Sequence, residues 1–119
     1  MPKTLSLFVA KQYEKHELEW GGCVKCPIGK LAKRRVFVRG TLPCDVLFLG
    51  EAPGKAEDVI GEPFVGATGQ LLDDLIERAW NRRSLSWAIT NVIACRPCDH
   101  VGGSNRPPTE QEVKNCEPR

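Results

Sequence analysis

The spacing of apolar residues changes several times along this chain, and each change predicts an element. Between residues 4 and 20, Leu5, Phe8, Val9, Tyr13 and Leu18 form a patchy apolar stripe among Lys and Glu. That spacing predicts one helix, stopped by Gly21-Gly22. Val36-Phe37-Val38 predicts a short strand. Val46-Leu47-Phe48-Leu49 is a continuous apolar run between turn residues, the pattern of a buried parallel strand. From Gly69 to Trp80, Leu71, Leu72, Leu75, Ile76, Ala79 and Trp80 share one face, with Asp73, Asp74, Glu77 and Arg78 opposite. This is an amphipathic helix whose acids come early and whose arginine comes late, as the helix dipole favours. Trp87 to Ile93 predicts a second buried strand. Strand, crossover helix and strand make one βαβ unit, so the fold class is α/β.

Two long polar stretches interrupt this pattern. Gly50 to Gly69 is a Gly/Pro-rich loop of about 20 residues, a length uncommon without a function. Arg96 to Pro108 is turn-rich, and Thr109-Glu-Gln-Glu112 then reads as a capping box opening a helix. A sheet of two or three strands is thin and leaves one edge open. A helix barely begun at Arg119 adds the expectation of a fragment, or of a domain completed by something else.

Composition narrows the function classes. At 119 residues the chain suits one domain. Seventeen basic and 15 acidic residues give a net charge of +2, which excludes a highly basic nucleic-acid tail and an acidic disordered segment. No apolar run approaches the roughly 20 residues of a membrane helix. Leu7-Phe8-Val9-Ala10 is too short for a signal-peptide core. These features predict a reducing, cytoplasmic setting and no membrane partner. In such a setting, six cysteines point to metal or cluster ligation before disulfides.

Cys23-x2-Cys26 is a chelating turn stiffened by Pro27, and Cys95 and Cys116 can supply a second pair. Four thiolates satisfy tetrahedral Zn or a cubane iron–sulfur cluster, and the spacing alone leans slightly to Zn. Cys98 and His100 are second-choice ligands beside Cys95; Cys44, abutting an apolar strand, reads as a small core residue.

The loop beginning Gly50-Glu51-Ala52-Pro53-Gly54 leaves the carboxyl end of a strand, where open α/β sheets bind ligands. It is neither GxxxxGK[ST] nor GxGxxG, so phosphate binding is not its reading. Phe64, between Pro63 and Gly66, can offer a ring face to a planar base, with a core role as the alternative. Thr90-Asn91 is a polar pair in an apolar strand and needs hydrogen-bond partners. Asn91 suits the imide edge of a pyrimidine, and satisfaction by nearby backbone is the equal alternative. The basic residues Lys30 to Arg35 and Arg82-Arg83 read as solvated surface, with phosphate contacts as the alternative.

Taken together, several segments resemble the fourth uracil-DNA glycosylase family, the iron–sulfur type of bacteria, archaea and phages. The resemblance rests on Gly50-Glu-Ala-Pro-Gly-Lys-Ala-Glu-Asp58, Gly61-Glu-Pro-Phe-Val-Gly66, Gly69-Gln-Leu-Leu-Asp73, Ile89-Thr-Asn91 and Cys95-Arg-Pro97. Asn105-Arg106, Pro108-Thr109 and Cys116-Glu-Pro118 complete it. It implies the parallel-sheet, three-layer glycosylase fold over residues 1–119, incomplete at its C-terminal part, with a helix at 1–20 and a cysteine loop at 21–35. It implies a structural 4Fe–4S cluster on Cys23, Cys26, Cys95 and Cys116, displacing the lean to Zn. It also implies a monomer that excises uracil from single- or double-stranded DNA by hydrolysing the N-glycosidic bond. Phe64 would stack on the flipped base and Asn91 would read its edge. Backbone at Gly50, Glu51 and Ala52 would contact the uracil carbonyls, and Glu51 or Glu57 would position water or stabilise charge.

The chain departs from the family at two points. The family's His-Pro-Ser segment is missing, the only histidines being His16 and His100. The loop between Cys95 and Cys116 is enlarged by Cys98 to Gly103, which bears on the fourth ligand. The competing expectations are a non-catalytic, cluster- or zinc-stabilised nucleic-acid-binding module, and an inactive truncated glycosylase.

Overall fold

A computed structural model describes residues 3–80 and 85–119. Three strands form one sheet in the order β1-β3-β2, with β1 at Val38–Gly40, β2 at Val46–Gly50 and β3 at Trp87–Asn91. β2 and β3 run parallel, Val46 opposite Trp87 and Gly50 opposite Asn91; β1 pairs antiparallel with β3. The helices are α1 (Lys3–Trp20), α2 (Ile28–Leu31), α3 (Lys55–Ile60), α4 (Ala67–Trp80) and α5 (Glu110–Cys116). The β2–α4–β3 crossover is the expected βαβ unit. α3 lies inside the stretch read from sequence as an unbroken loop.

The core follows the central strand. Ala88, Ile89, Ile93 and Ala94 are buried, and Val36 beside them donates its N–H to the Ala94 carbonyl at 2.8 Å. Val36 and Phe37 therefore serve as buried approach to a strand that starts at Val38, later than the sequence suggests. Trp20, Phe37 and Ala94 form one cluster; Ile28, Ile93 and Cys95 form a second.

β2 is parallel as expected but is not buried. Leu47 is 52% and Leu49 63% exposed, because the described sheet ends at β2 and no described element covers these side chains. α4 shows the same effect. Ile76 is buried, whereas Leu71 and Leu75 on the predicted apolar face are exposed. On α1 the inward positions are Tyr13, His16 and Trp20: the His16 ring meets Phe37 edge-on at 4.7 Å, and Phe8 and Leu18 face outward. Cys44, expected in the core, is half-buried two residues before β2.

Side-chain-to-backbone hydrogen bonds hold two peripheral segments. Thr109 caps α5, accepting from Glu112 N at 3.2 Å while Glu112 Oε1 accepts from Thr109 N at 2.8 Å. Buried Asp58 on α3 accepts from the N–H groups of Lys33 and Arg34 at 2.9 and 3.3 Å, tying the basic segment to the loop after β2. Lys30, Lys33 and Arg34 are exposed, as a solvated face requires; Arg82-Arg83 lie outside the described residues.

Candidate functional site

The parallel register sets the first feature of the site. Gly50 ends β2 directly opposite Asn91 at the end of β3, so both point out of the carboxyl edge of the sheet. Nothing larger than glycine fits at 50. A Cβ there would collide with the tip of the Phe64 ring and lie 2.5 Å from Asn91 Oδ1. Ring and amide therefore meet over the same bare Cα. They share a cavity of about 420 Å³ with Ala52, Gly54, Glu57 and Asn105.

Asn91 is only 2% exposed, and its Oδ1 has no hydrogen-bond partner among the described residues. Its neighbour behaves differently: Thr90 Oγ1 donates to the Phe37 carbonyl at 2.5 Å. Of the polar pair in β3, one member is satisfied by backbone and the other, which lines the cavity, keeps a buried acceptor without a described partner. An unpaired buried acceptor costs about 1–3 kcal/mol, so a ligand donor placed there recovers that loss.

Phe64 has φ of 56°, the left-handed region that a non-glycine residue occupies at a cost of order 1–2 kcal/mol. Several contacts hold it there. Arg39 of β1 donates through Nε to the Pro63 carbonyl at 2.7 Å and through Nη2 to the Phe64 carbonyl at 2.9 Å. The backbone of Phe64 lies so close to Gly69, in the first turn of α4, that any Cβ at 69 would overlap its carbonyl.

The Glu57 carboxylate shapes the rest of the loop. It accepts from Gly54 N at 2.9 Å, Val65 N at 2.9 Å and Gly66 N at 2.8 Å. Burial alone would raise its pKa. The backbone N–H bonds outweigh that and hold it below the ordinary carboxylate value, so the group is ionised near neutrality. With both oxygens occupied, Glu57 acts as a brace between the start of α3 and the Phe64 turn. Glu51 is placed otherwise. Its side chain is exposed, no described hydrogen bond holds its carboxylate, and it borders a neighbouring cavity with Leu49, Val92 and Val113. Only its backbone is engaged, the carbonyl accepting from Ile93 N at 3.3 Å.

Asn105, to which the sequence assigned no role, enters the cavity through the loop after β3. Buried Arg96 donates from Nε to Asn105 Oδ1 at 2.6 Å and from Nη2 to the Gly103 carbonyl. That leaves the Asn105 amide nitrogen toward Gly54. A signal for it existed in the Asn105-Arg106 motif, but only the fold brings it beside Asn91.

The six cysteines fall in different places. Cys23, Cys26, Cys95 and Cys116 line one small cavity of about 20 Å³ with Ile28 and Ile93. Cys98 and His100 do not line it; Cys98 is buried elsewhere and His100 is exposed. Burial pushes the Cys95 thiol up to about 11, the nearby Cys116, Cys23 and Cys26 adding to the effect and Arg35 opposing it. Arg35 also shapes the chelating turn, donating to the Cys23 carbonyl at 2.6 Å and the Gly29 carbonyl at 2.7 Å. Asn115 on α5 donates to Cys26 Sγ at 3.2 Å. Among the described residues no group of three His, Cys, Asp or Glu is arranged so that it could hold a metal ion. The donor set nonetheless fits a thiophilic centre: four sulfurs from three separate segments, within an apolar surround.

Residues 37–119 match the family model described as the uracil DNA glycosylase superfamily. The chain belongs to the uracil-DNA glycosylase superfamily. Within the superfamily it is similar to proteins named type-4 uracil-DNA glycosylase. The one from Pyrobaculum aerophilum is 45% identical over 96 residues, covering 81% of this chain and 46% of the relative. That from Archaeoglobus fulgidus is 43% identical over 94 residues, with 79% and 44% covered. That from Thermotoga maritima is 38% identical over 94 residues, with 79% and 46% covered. The chain thus spans about half the length of the curated relatives it matches. No described helix is long and apolar enough to cross a membrane.

Proposed function

We propose that this protein binds a uracil base extruded from DNA and serves in hydrolysis of its N-glycosidic bond. The observation that carries the proposal is the buried Oδ1 of Asn91, without a partner among the described residues, on a residue that lines the cavity with Phe64. Uracil presents an N3–H donor flanked by two carbonyl acceptors. Asn91 Oδ1 accepts from N3–H, and its amide nitrogen is suited to an adjacent carbonyl. Cytosine carries an acceptor at N3 and would leave the same oxygen unpaired, so the site selects against it. The Phe64 ring provides the stacking face. Of the backbone candidates for the uracil carbonyls, Ala52 lines this cavity, whereas Gly50 and Glu51 line the neighbouring one.

A base inside a duplex is out of reach, so the substrate is single-stranded or is flipped out of the helix. Bond cleavage places negative charge on the uracil and positive charge on the sugar. Hydrogen-bond donors around the base stabilise the first. Of the two candidate carboxylates, Glu51 has oxygens available to the sugar or to a water, whereas those of Glu57 are committed to the loop backbone.

Cys23, Cys26, Cys95 and Cys116 would hold a 4Fe–4S cluster. Bound there, the cluster supplies a fixed cross-link between the turn after α1, the segment after β3 and the end of α5. Iron and acid-labile sulfide in the purified protein would separate this centre from zinc on the same thiolates.

Release of uracil from a uracil-containing single strand by the anaerobically purified protein tests the reading. Release lost in Asn91→Ala and Phe64→Ala supports it. A protein that binds DNA with no uracil release and no dependence on either residue contradicts it.

A further inference from the structure

Arg39 connects three elements through one side chain. Besides the Pro63 and Phe64 carbonyls, Nη2 donates to Asp73 of α4 at 2.7 Å, and the guanidinium lies 5.8 Å from the centre of the Trp87 ring. Its planar fork is well suited to this task, because two nitrogens reach consecutive carbonyls of a turn whose backbone is left-handed at Phe64. Those carbonyls belong to the segment that carries the ring over Gly50. Arg39 is itself mostly shielded, with 17% of its side chain exposed, whereas Asp73 is half exposed.

We infer that Arg39 is a positioning residue: it clamps the Pro63–Phe64 turn so that the Phe64 ring stands ready to stack on the base. The inference rests on the proposed uracil site for its functional consequence, but the clamp itself is a property of the folded chain. Phe64 in its strained turn would otherwise relax toward the common right-handed or extended conformations, carrying the ring off the cavity. A displacement of about 1 Å at a reacting group can cost about 100-fold in rate.

The test uses the full chain labelled with fluorinated phenylalanine, whose Phe8, Phe37, Phe48 and Phe64 signals are followed by fluorine NMR. In Arg39→Ala the Phe64 line shifts or broadens while the other three hold. Asp73→Ala, on an exposed carboxylate, gives the same change more weakly and serves if Arg39→Ala fails to fold. Affinity for a uracil-containing single strand then falls roughly 10- to 100-fold in Arg39→Ala. In the Phe64→Ala background, Arg39→Ala adds no further loss, because it acts through the ring. An unchanged Phe64 line in both variants overturns the clamp whatever the protein binds. A shifted line in a protein with no preference for uracil upholds the clamp and overturns the proposed function. Equal losses in the presence and absence of the Phe64 ring also overturn the positioning role.

Discussion

Gly50 and Asn91 are partners across the parallel pair β2 and β3, and the hydrogen atom that glycine has in place of a side chain is what lets the Asn91 amide and the Phe64 ring share one point. Gly50→Ala would drive a methyl group into both. The expected outcome is a displaced ring or amide and loss of uracil binding by about 10-fold or more, with a stability cost of about 1–3 kcal/mol. Calorimetry together with oligonucleotide binding checks it; an alanine variant that binds and melts normally would contradict the packing described.

Gly69 makes a similar demand from the other side of Phe64. A Cβ there overlaps the Phe64 carbonyl, and backbone cannot yield as a side-chain tip can. Gly69→Ala should lower Tm even though alanine favours helix by up to about 1 kcal/mol at an exposed site. A raised Tm would show that the turn moves freely.

The Glu57 brace predicts a pH response. Its folded pKa lies below its ordinary value of 4.5, so the unfolded chain takes up protons first as pH falls. The stability it supplies is fully present above about pH 5 and is lost as pH drops through the depressed folded value. Glu112, held down chiefly by its Arg106 hydrogen bonds, acts in the same direction. Glu57→Gln, with one acceptor oxygen for three N–H donors, should destabilise by about 1–3 kcal/mol at pH 7 and shrink the acid-induced fall in Tm. An unchanged pH profile would remove the brace from the account.

The cysteine set makes a selective prediction. Cys95→Ala and Cys116→Ala each lose iron and sulfide and lower Tm, whereas Cys98→Ala keeps the full metal content. Elemental analysis of anaerobic preparations reads this directly. Metal loss in Cys98→Ala with retention in Cys116→Ala would exchange the fourth ligand.

Much of this arrangement is legible in the sequence because it is local. The capping box at Thr109 and Glu112, the apolar centre of β3 and the Gly-rich exit from β2 are each written in neighbouring residues. The burial of β2 and of Leu71 and Leu75 is not, since an apolar pattern states what a segment can bury against and not whether a covering layer is present. Arg39 reads as an ordinary strand charge, and its hold on Phe64 arises only when β1 is laid beside the loop 24 and 25 residues away. Glu57 and Glu51 look alike as carboxylates of one motif; three backbone N–H groups distinguish them.

The reading of a pyrimidine edge by Asn91 is tested most directly by comparing the affinity of the protein for two single strands that differ in one base, uracil or cytosine. The account predicts a preference for uracil of about 100-fold, abolished in Asn91→Asp, whose acceptors suit the cytosine amino group instead. Equal affinity for the two strands, unaltered by Asn91→Asp, would contradict it.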